Sequence, residues 1–164
     1  MVRKSNQEIV DLAAQLAKEI HGSQADKQGV NYFQGHLTEV ASHCREWKEK
    51  IIAYLHDVSK FTDISESELV MILQDRSNGR LTDKIAIKLK KALWLLDPKN
   101  SKTREDYIEG IKTNYLATKV KLWDLQDNMN LVKMKNPKQK DFLRIQKYYK
   151  EYANLINLSH YKVL

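Results

Sequence analysis

Apolar positions recur along this chain at helical spacing, and polar turn residues punctuate them. Ile9, Leu12, Ala13, Leu16, Ala17 and Ile20 mark one face of a first helix, because residues three and four apart share a face. His21-Gly22 closes it, with glycine in the usual stop position. Residues 22–35 read as a loop. Helices follow over 37–43 and 46–56. Ser65 and Glu68 make a capping box ahead of Leu69, Val70, Ile72 and Leu73. Residues 76–80 read as a turn. Thr82 starts a helix through Ile85, Ile87, Leu89, Ala92, Leu93 and Leu96, and Asp97-Pro98-Lys99-Asn100 breaks it. Thr103 with Asp106 caps a further segment, whose apolar positions Ile108, Ile111, Leu116, Val120 and Met129 predict one continuous run. Asn136-Pro137 separates that run from a last helix over 138–158. No strand, repeat or linker is visible. The expectation is an all-α single domain spanning residues 1–164.

Composition supports this picture. Two prolines and five glycines in 164 residues suit long uninterrupted helices. A chain of this length buries enough surface for a core without staples. No apolar run approaches a membrane span. The stretch from Met1 to Gln7 is polar, so no secretory signal is predicted. Cys44 is the one cysteine, which excludes an intrachain disulfide and fits a reducing cytoplasm. It reads as a half-buried packing thiol. Trp47, Trp94 and Trp123 sit at core spacing, and Tyr148, Tyr149 and Tyr152 fit either the core or a homodimer face. His21 and His43 read as structural or surface residues, and His160 as solvated.

The net charge of +7 favours an anionic partner. Much of it lies late, at Lys133, Lys135, Lys138, Lys140, Arg144, Lys147 and Lys150. The solvated face of a helix is the simpler reading of that run, and a nucleic-acid patch is disfavoured.

The informative chemistry is the doublet His56-Asp57, which ends the apolar run from Trp47 to Leu55. Buried unpaired, such groups would cost several kcal/mol, so they need a polar partner. His36 upstream and Asp124 downstream complete a candidate set of two imidazoles and two carboxylates. That mixture suits a borderline or hard divalent ion, and structural zinc, which prefers cysteine, is disfavoured. An ion there would act as a Lewis acid on phosphoryl oxygen and lower the pKa of its water toward roughly 7, giving hydroxide as nucleophile. Lys121, Asp124 and Asn128 lie three and four apart on one helical face. Lys121 is therefore open to two readings: a phosphate contact, or an intrahelical salt bridge with Asp124.

His36, then His56-Asp57, then Asp124, all on helices, resembles the HD-domain metal-dependent phosphohydrolases. The stretch Val120-Lys121-Leu122-Trp123-Asp124-Leu125-Gln126-Asp127-Asn128-Met129 is similar to the lysine-leucine-x-aspartate … asparagine-methionine signature of the alarmone hydrolases acting on guanosine tetraphosphate, and to their small stand-alone bacterial relatives. His21-Gly22, Gly29, Tyr32 and His36 resemble their entry loop. The resemblance covers about residues 12–132. It implies one manganese-like ion, with iron or zinc as alternatives, held by His36, His56, Asp57 and Asp124. It also implies a nucleotide or other phosphorylated small molecule as substrate, with Asn128 on the nucleotide and Lys27 as the one basic residue of the loop. The family's Glu-Asp pair after the doublet is replaced by Lys60-Phe61. Lys60 is then expected to meet substrate phosphate, and Asp63 or Glu66 to serve as acid or base. The alternative is a catalytically impaired protein that binds a nucleotide as a sensor.

Overall fold

The computed structural model describes residues 2–159, with side chains from 6 to 156. It is all-helical. The described α-helices are α1 (Val2–His21), α2 (Thr38–His43), α3 (Trp47–Leu55), α4 (Val58–Phe61), α5 (Glu66–Arg76), α6 (Asp83–Leu96), α7 (Arg104–Lys112), α8 (Tyr115–Asn128) and α9 (Gln139–Ser159). Extended pairing among the described residues is confined to one isolated bridge between Ala25 and Asn31. No described helix is long and apolar enough to cross a membrane.

The centre of the fold is α3. Ile51, Ile52, Ala53 and Leu55 are fully buried, so this helix is apolar nearly all round, as a helix enclosed by others must be. It packs against α1, α2, α6 and α8. Glu46 and Glu49 close a capping box at its start. Its last turn delivers His56 and Asp57 into the interior, where both are buried. On its other side α8 packs against α9.

Several boundaries differ from the sequence pattern. The expected continuous run after Thr103 is two helices, α7 and α8. Asn114 interrupts it: its backbone is extended and its side chain accepts from the Ala117 N–H, making it the cap of α8. Competition from such a side chain is why asparagine starts helices rather than continuing them. The loop expected over 22–35 is shorter. It is pinned by the Ala25–Asn31 bridge, turns at Gly29 with φ +78°, and becomes helical by Phe33. Phe33–Leu37 forms one wide π-type turn leading into α2. The short α4 was not visible in the pattern. Thr82 caps α6 by position but makes no side-chain cap bond.

Trp94 is 47% exposed and is not the core residue its spacing predicts. Trp47 and Trp123 do pack on the core, as do Tyr148 and Tyr152, whereas Tyr149 faces solvent. Cys44 is fully rather than half buried, its Sγ donating to the Val40 carbonyl. Burial pushes this thiol up to about 12. His21 is buried, its Nδ1 2.8 Å from Gln24 Oε1 and its ring against Tyr32 and Phe61, and His43 lies half-exposed against the Trp123 ring. His160 lies outside the described residues.

Candidate metal centre

Four buried residues from three places in the chain meet beside α3. His36 comes from the π-type turn Phe33–Leu37, a local geometry often found at functional sites. His56 is the C-cap of α3, and Asp57 leads into α4. Asp124 comes from α8, whose buried residues include Thr118, Lys121 and Asp124 beside Ala117, Val120 and Leu125. A helix that turns charged residues inward does so at a solvation cost that needs partners.

Those partners are the residues themselves. His36 Nε2 lies 3.3 Å from Asp124 Oδ1 and 3.7 Å from Asp57 Oδ2. His56 Nε2 lies 3.3 Å from Asp57 Oδ2 and 3.7 Å from Asp124 Oδ1. Imidazole nitrogens and carboxylate oxygens thus alternate around one small ring. Ligands about 2.1 Å from a shared divalent ion lie about 3.0–3.4 Å apart, so the ring is close to ion-binding size. The ligand atoms of His36, His56 and Asp124 all lie within 4.8 Å of one another, and this group could hold a metal ion. Asp57 joins them through its contacts to both imidazoles.

The chemistry of the donor set fits a cation. His36 Nδ1 is 2.7 Å from Asp127 Oδ2, and His56 Nδ1 is 2.7 Å from the Ala53 carbonyl. Both Nδ1 atoms therefore carry hydrogen and donate. Their Nε2 atoms are buried without a hydrogen-bond partner and face two carboxylates. Lone pairs facing anions repel, so a proton or a metal ion must lie between them. Such outer bonds to Nδ1 are how metal-binding histidines are usually oriented.

Electrostatics agrees. Burial lowers the His36 imidazole, but Asp124 and Asp127 outweigh it and lift the ring to about 9 in the metal-free protein. Burial raises Asp57, yet His56 and Lys60 hold it at about 2. Burial likewise opposes ionisation of Asp124, and Lys121 with the two imidazoles keeps it well below the usual carboxylate range. Both carboxylates are ionised, and an incoming ion competes with the His36 proton. The Tyr32 phenol donates to Asp57 Oδ2. Burial and then the Asp57 charge raise the phenol, so it stays a donor.

A cleft of about 460 Å³ meets this cluster at His36 and Tyr32. Its walls carry Lys27, Lys60, Lys133 and Arg144, the rings of Phe61 and Tyr148, and the amide of Asn128. A larger hollow of about 560 Å³ at the α5–α6 turn is lined by Gln74, Asp75, Asn78 and Asp83 among others and holds neither cation nor imidazole.

The expected site residues divide accordingly. His36, His56, Asp57 and Asp124 come together. Lys27, Lys60 and Asn128 line the cleft. Lys60 Nζ donates to Asp57 Oδ1 at 3.3 Å. Asn128 Nδ2 donates to Asp124 Oδ1 at 2.6 Å, which leaves its amide oxygen for a ligand. Of the two readings of Lys121, the geometry takes the salt bridge. Its ammonium is buried, 2.6 Å from Asp124 Oδ2, and it does not line the cleft. Asp63 and Glu66 do not line the cleft either. Asp63 is exposed, and Glu66 Oε1 accepts from the Asn100 amide.

Sequence reasoning missed Asp127 and gave Tyr32 no contact of its own. A signal for Asp127 existed, since it lies three residues beyond Asp124 and shares its face. For Arg144 and Tyr148 there was none, because their place depends on how α9 packs. No protein-family model matches this chain, and no curated protein matches it.

Proposed function

We propose that this protein is a divalent-metal-dependent phosphohydrolase acting on a nucleotide or related phosphorylated small molecule. One observation carries the reading: two buried imidazole nitrogens with no hydrogen-bond partner face two ionised carboxylates beside a cleft lined with cations. Mixed nitrogen and carboxylate donors favour manganese, with iron or zinc as alternatives. A bound ion supplies Lewis acidity toward phosphoryl oxygen and lowers the pKa of its water toward roughly 7. The remaining work falls to the chain. Lys60, Lys27 and Arg144 offset charge on the phosphate, in the manner of preorganised electrostatic stabilisation. Tyr32 holds Asp57 in place. The buried thiol of Cys44 suits a cytoplasmic setting.

A second reading is favoured by a specific observation. The carboxylates lining the cleft are Asp26, Asp127 and Asp141. Asp26 accepts two backbone N–H groups, Asp127 is engaged by His36 and Lys133, and Asp141 by the Lys138 N–H and Arg144. None of the three is then free to protonate a leaving group, which leaves that step to Lys60, Lys27, Tyr148 or solvent. A protein that binds a nucleotide as a sensor, with slow or no turnover, fits that shortage.

The test is metal analysis of purified wild type and His56→Ala, followed by a nucleotide hydrolysis screen with the metal found. About one equivalent of metal, lost in the variant, with turnover by wild type alone supports the hydrolase. Metal and ligand-induced melting shifts without turnover select the sensor. No metal in wild type and no thermal shift with manganese sinks the hydrolase, and a further lack of any nucleotide-induced melting shift sinks the sensor.

A further inference from the structure

We propose that Asp127 and Lys133 act as a positioning pair for His36, clamping both its ring and its backbone so that Nε2 faces the ion site. The inference rests on reading the cluster as a metal centre. Neither residue belongs to the four-ligand set, and their contacts are unlike those of ordinary surface charges.

Asp127 lies one turn beyond Asp124 on α8, so one helix supplies both a ligand and the group behind another ligand. Its Oδ2 accepts from His36 Nδ1 at 2.7 Å. Its Oδ1 accepts from Lys133 Nζ. The same ammonium donates to the Gly35 carbonyl at 3.0 Å. Lys133 ends the short turn Leu131–Lys133, so one cation ties that turn both to the residue before His36 and to the carboxylate behind its ring. The side chain of Asp127 is 9% exposed, as is that of His36, so their contact is shielded from water.

The local chain allows this approach. A Cβ on Gly35 would fall 2.8 Å from Val30 Cγ1, so a side chain here would require the Val30 side chain to move. With glycine, the backbone sits where Lys133 reaches its carbonyl.

An imidazole held only by its backbone can present either nitrogen. A carboxylate on Nδ1–H fixes the tautomer and the ring rotation, and loss of such outer partners typically weakens metal affinity about 10–100-fold. Lys133 fixes the carboxylate in turn.

The experiment compares wild type with Asp127→Ala, Lys133→Met and the double variant Asp127→Asn/Lys133→Met. Manganese affinity is measured by calorimetry. The His36 tautomer is measured in metal-free protein by long-range proton–nitrogen NMR, at a pH high enough for a neutral ring. Asp127→Ala is expected to weaken manganese binding about 10–100-fold and to lose the Nδ1–H tautomer. Lys133→Met should weaken it less, since the carboxylate remains. The double variant keeps an acceptor oxygen without a competing ammonium and should regain part of the affinity lost in Asp127→Ala. If Asp127→Ala binds manganese as wild type does while His36→Ala does not, the positioning role is overturned and the metal centre stands. If wild type binds no ion, the metal reading fails, and the tautomer decides the clamp: unchanged in Asp127→Ala, it is overturned; switched, it is upheld.

Discussion

Lys121 offers the sharpest test of where a cation belongs. Its ammonium and Asp124 are both buried, 2.6 Å apart. Replacing it with methionine keeps much of its length and removes the charge. Breaking a buried pair from one side costs about 3–5 kcal/mol, because an uncompensated charge stays behind. Here Asp124 keeps three other partners, Asn128 Nδ2 at 2.6 Å, the His36 ring at 3.3 Å and the His56 ring at 3.7 Å. The cost in metal-free protein should therefore fall at the low end, about 3 kcal/mol. For a chain of this size that lowers Tm by about 6–12 °C. A metal ion bound to Asp124 would neutralise the same carboxylate. The loss should then shrink toward that of one hydrogen bond, about 1 kcal/mol. Urea denaturation of wild type and Lys121→Met, in EDTA and in saturating manganese, measures both legs. The reasoning is refuted if the two proteins differ equally in both conditions, since no cation then reaches Asp124. It is also refuted if the difference in EDTA is below about 1 kcal/mol.

Three further outcomes are expected. His36 is raised from about 6.5 to about 9 in the metal-free protein, so its contribution is complete below about pH 6.5 and is lost as pH rises through 9. Up to about 3 kcal/mol of stability should disappear between pH 6 and 10 in EDTA; a urea series showing no such slope, or the same slope in His36→Ala, contradicts it. Cys44, with its thiol pushed up to about 12, should resist a disulfide-exchange reagent at pH 8 and react with one equivalent in urea; rapid native labelling would place the thiol elsewhere. Arg104 pairs with the buried Glu151 through bonds of 2.8 and 2.7 Å that tie α7 to α9. Arg104→Met alone should cost about 2–3 kcal/mol, discounted for the partial exposure of Arg104, and Arg104→Met/Glu151→Met should recover most of it; equal losses in both would deny the pairing.

The fold was legible wherever apolar spacing and caps worked together. Ser65 with Glu68 marked the start of α5, and Asp97-Pro98 the end of α6, because each acts on its own few residues of backbone. Asn114 was passed over because the apolar period on either side of it looks continuous. A cap in the middle of such a run shows only when its side chain is seen turning back on the helix. Trp94 was misplaced for a related reason. Helical spacing fixes which residues share a face, but not which face a neighbouring helix covers.

The site divides along the same line. His56 and Asp57 stood out because an apolar run ended in ionisable groups, a cost visible without coordinates. The roles of Lys121 and Asp127 depend on distances that spacing leaves open. Both are one turn from Asp124, on opposite sides of it in sequence; spacing left Lys121 between a phosphate contact and a salt bridge, and gave Asp127 no role. Packing decides: the Lys121 ammonium lies over the Tyr107 ring of α7, and Asp127 accepts from His36 of the π-type turn. A helix that must present one ligand therefore carries its neutralising cation three residues before it and the support for a second ligand three residues after. That arrangement explains why α8 has no clean apolar face. Among the polar residues that blur its pattern, Lys121, Asp124, Asp127 and Asn128 belong to the cluster or its supports.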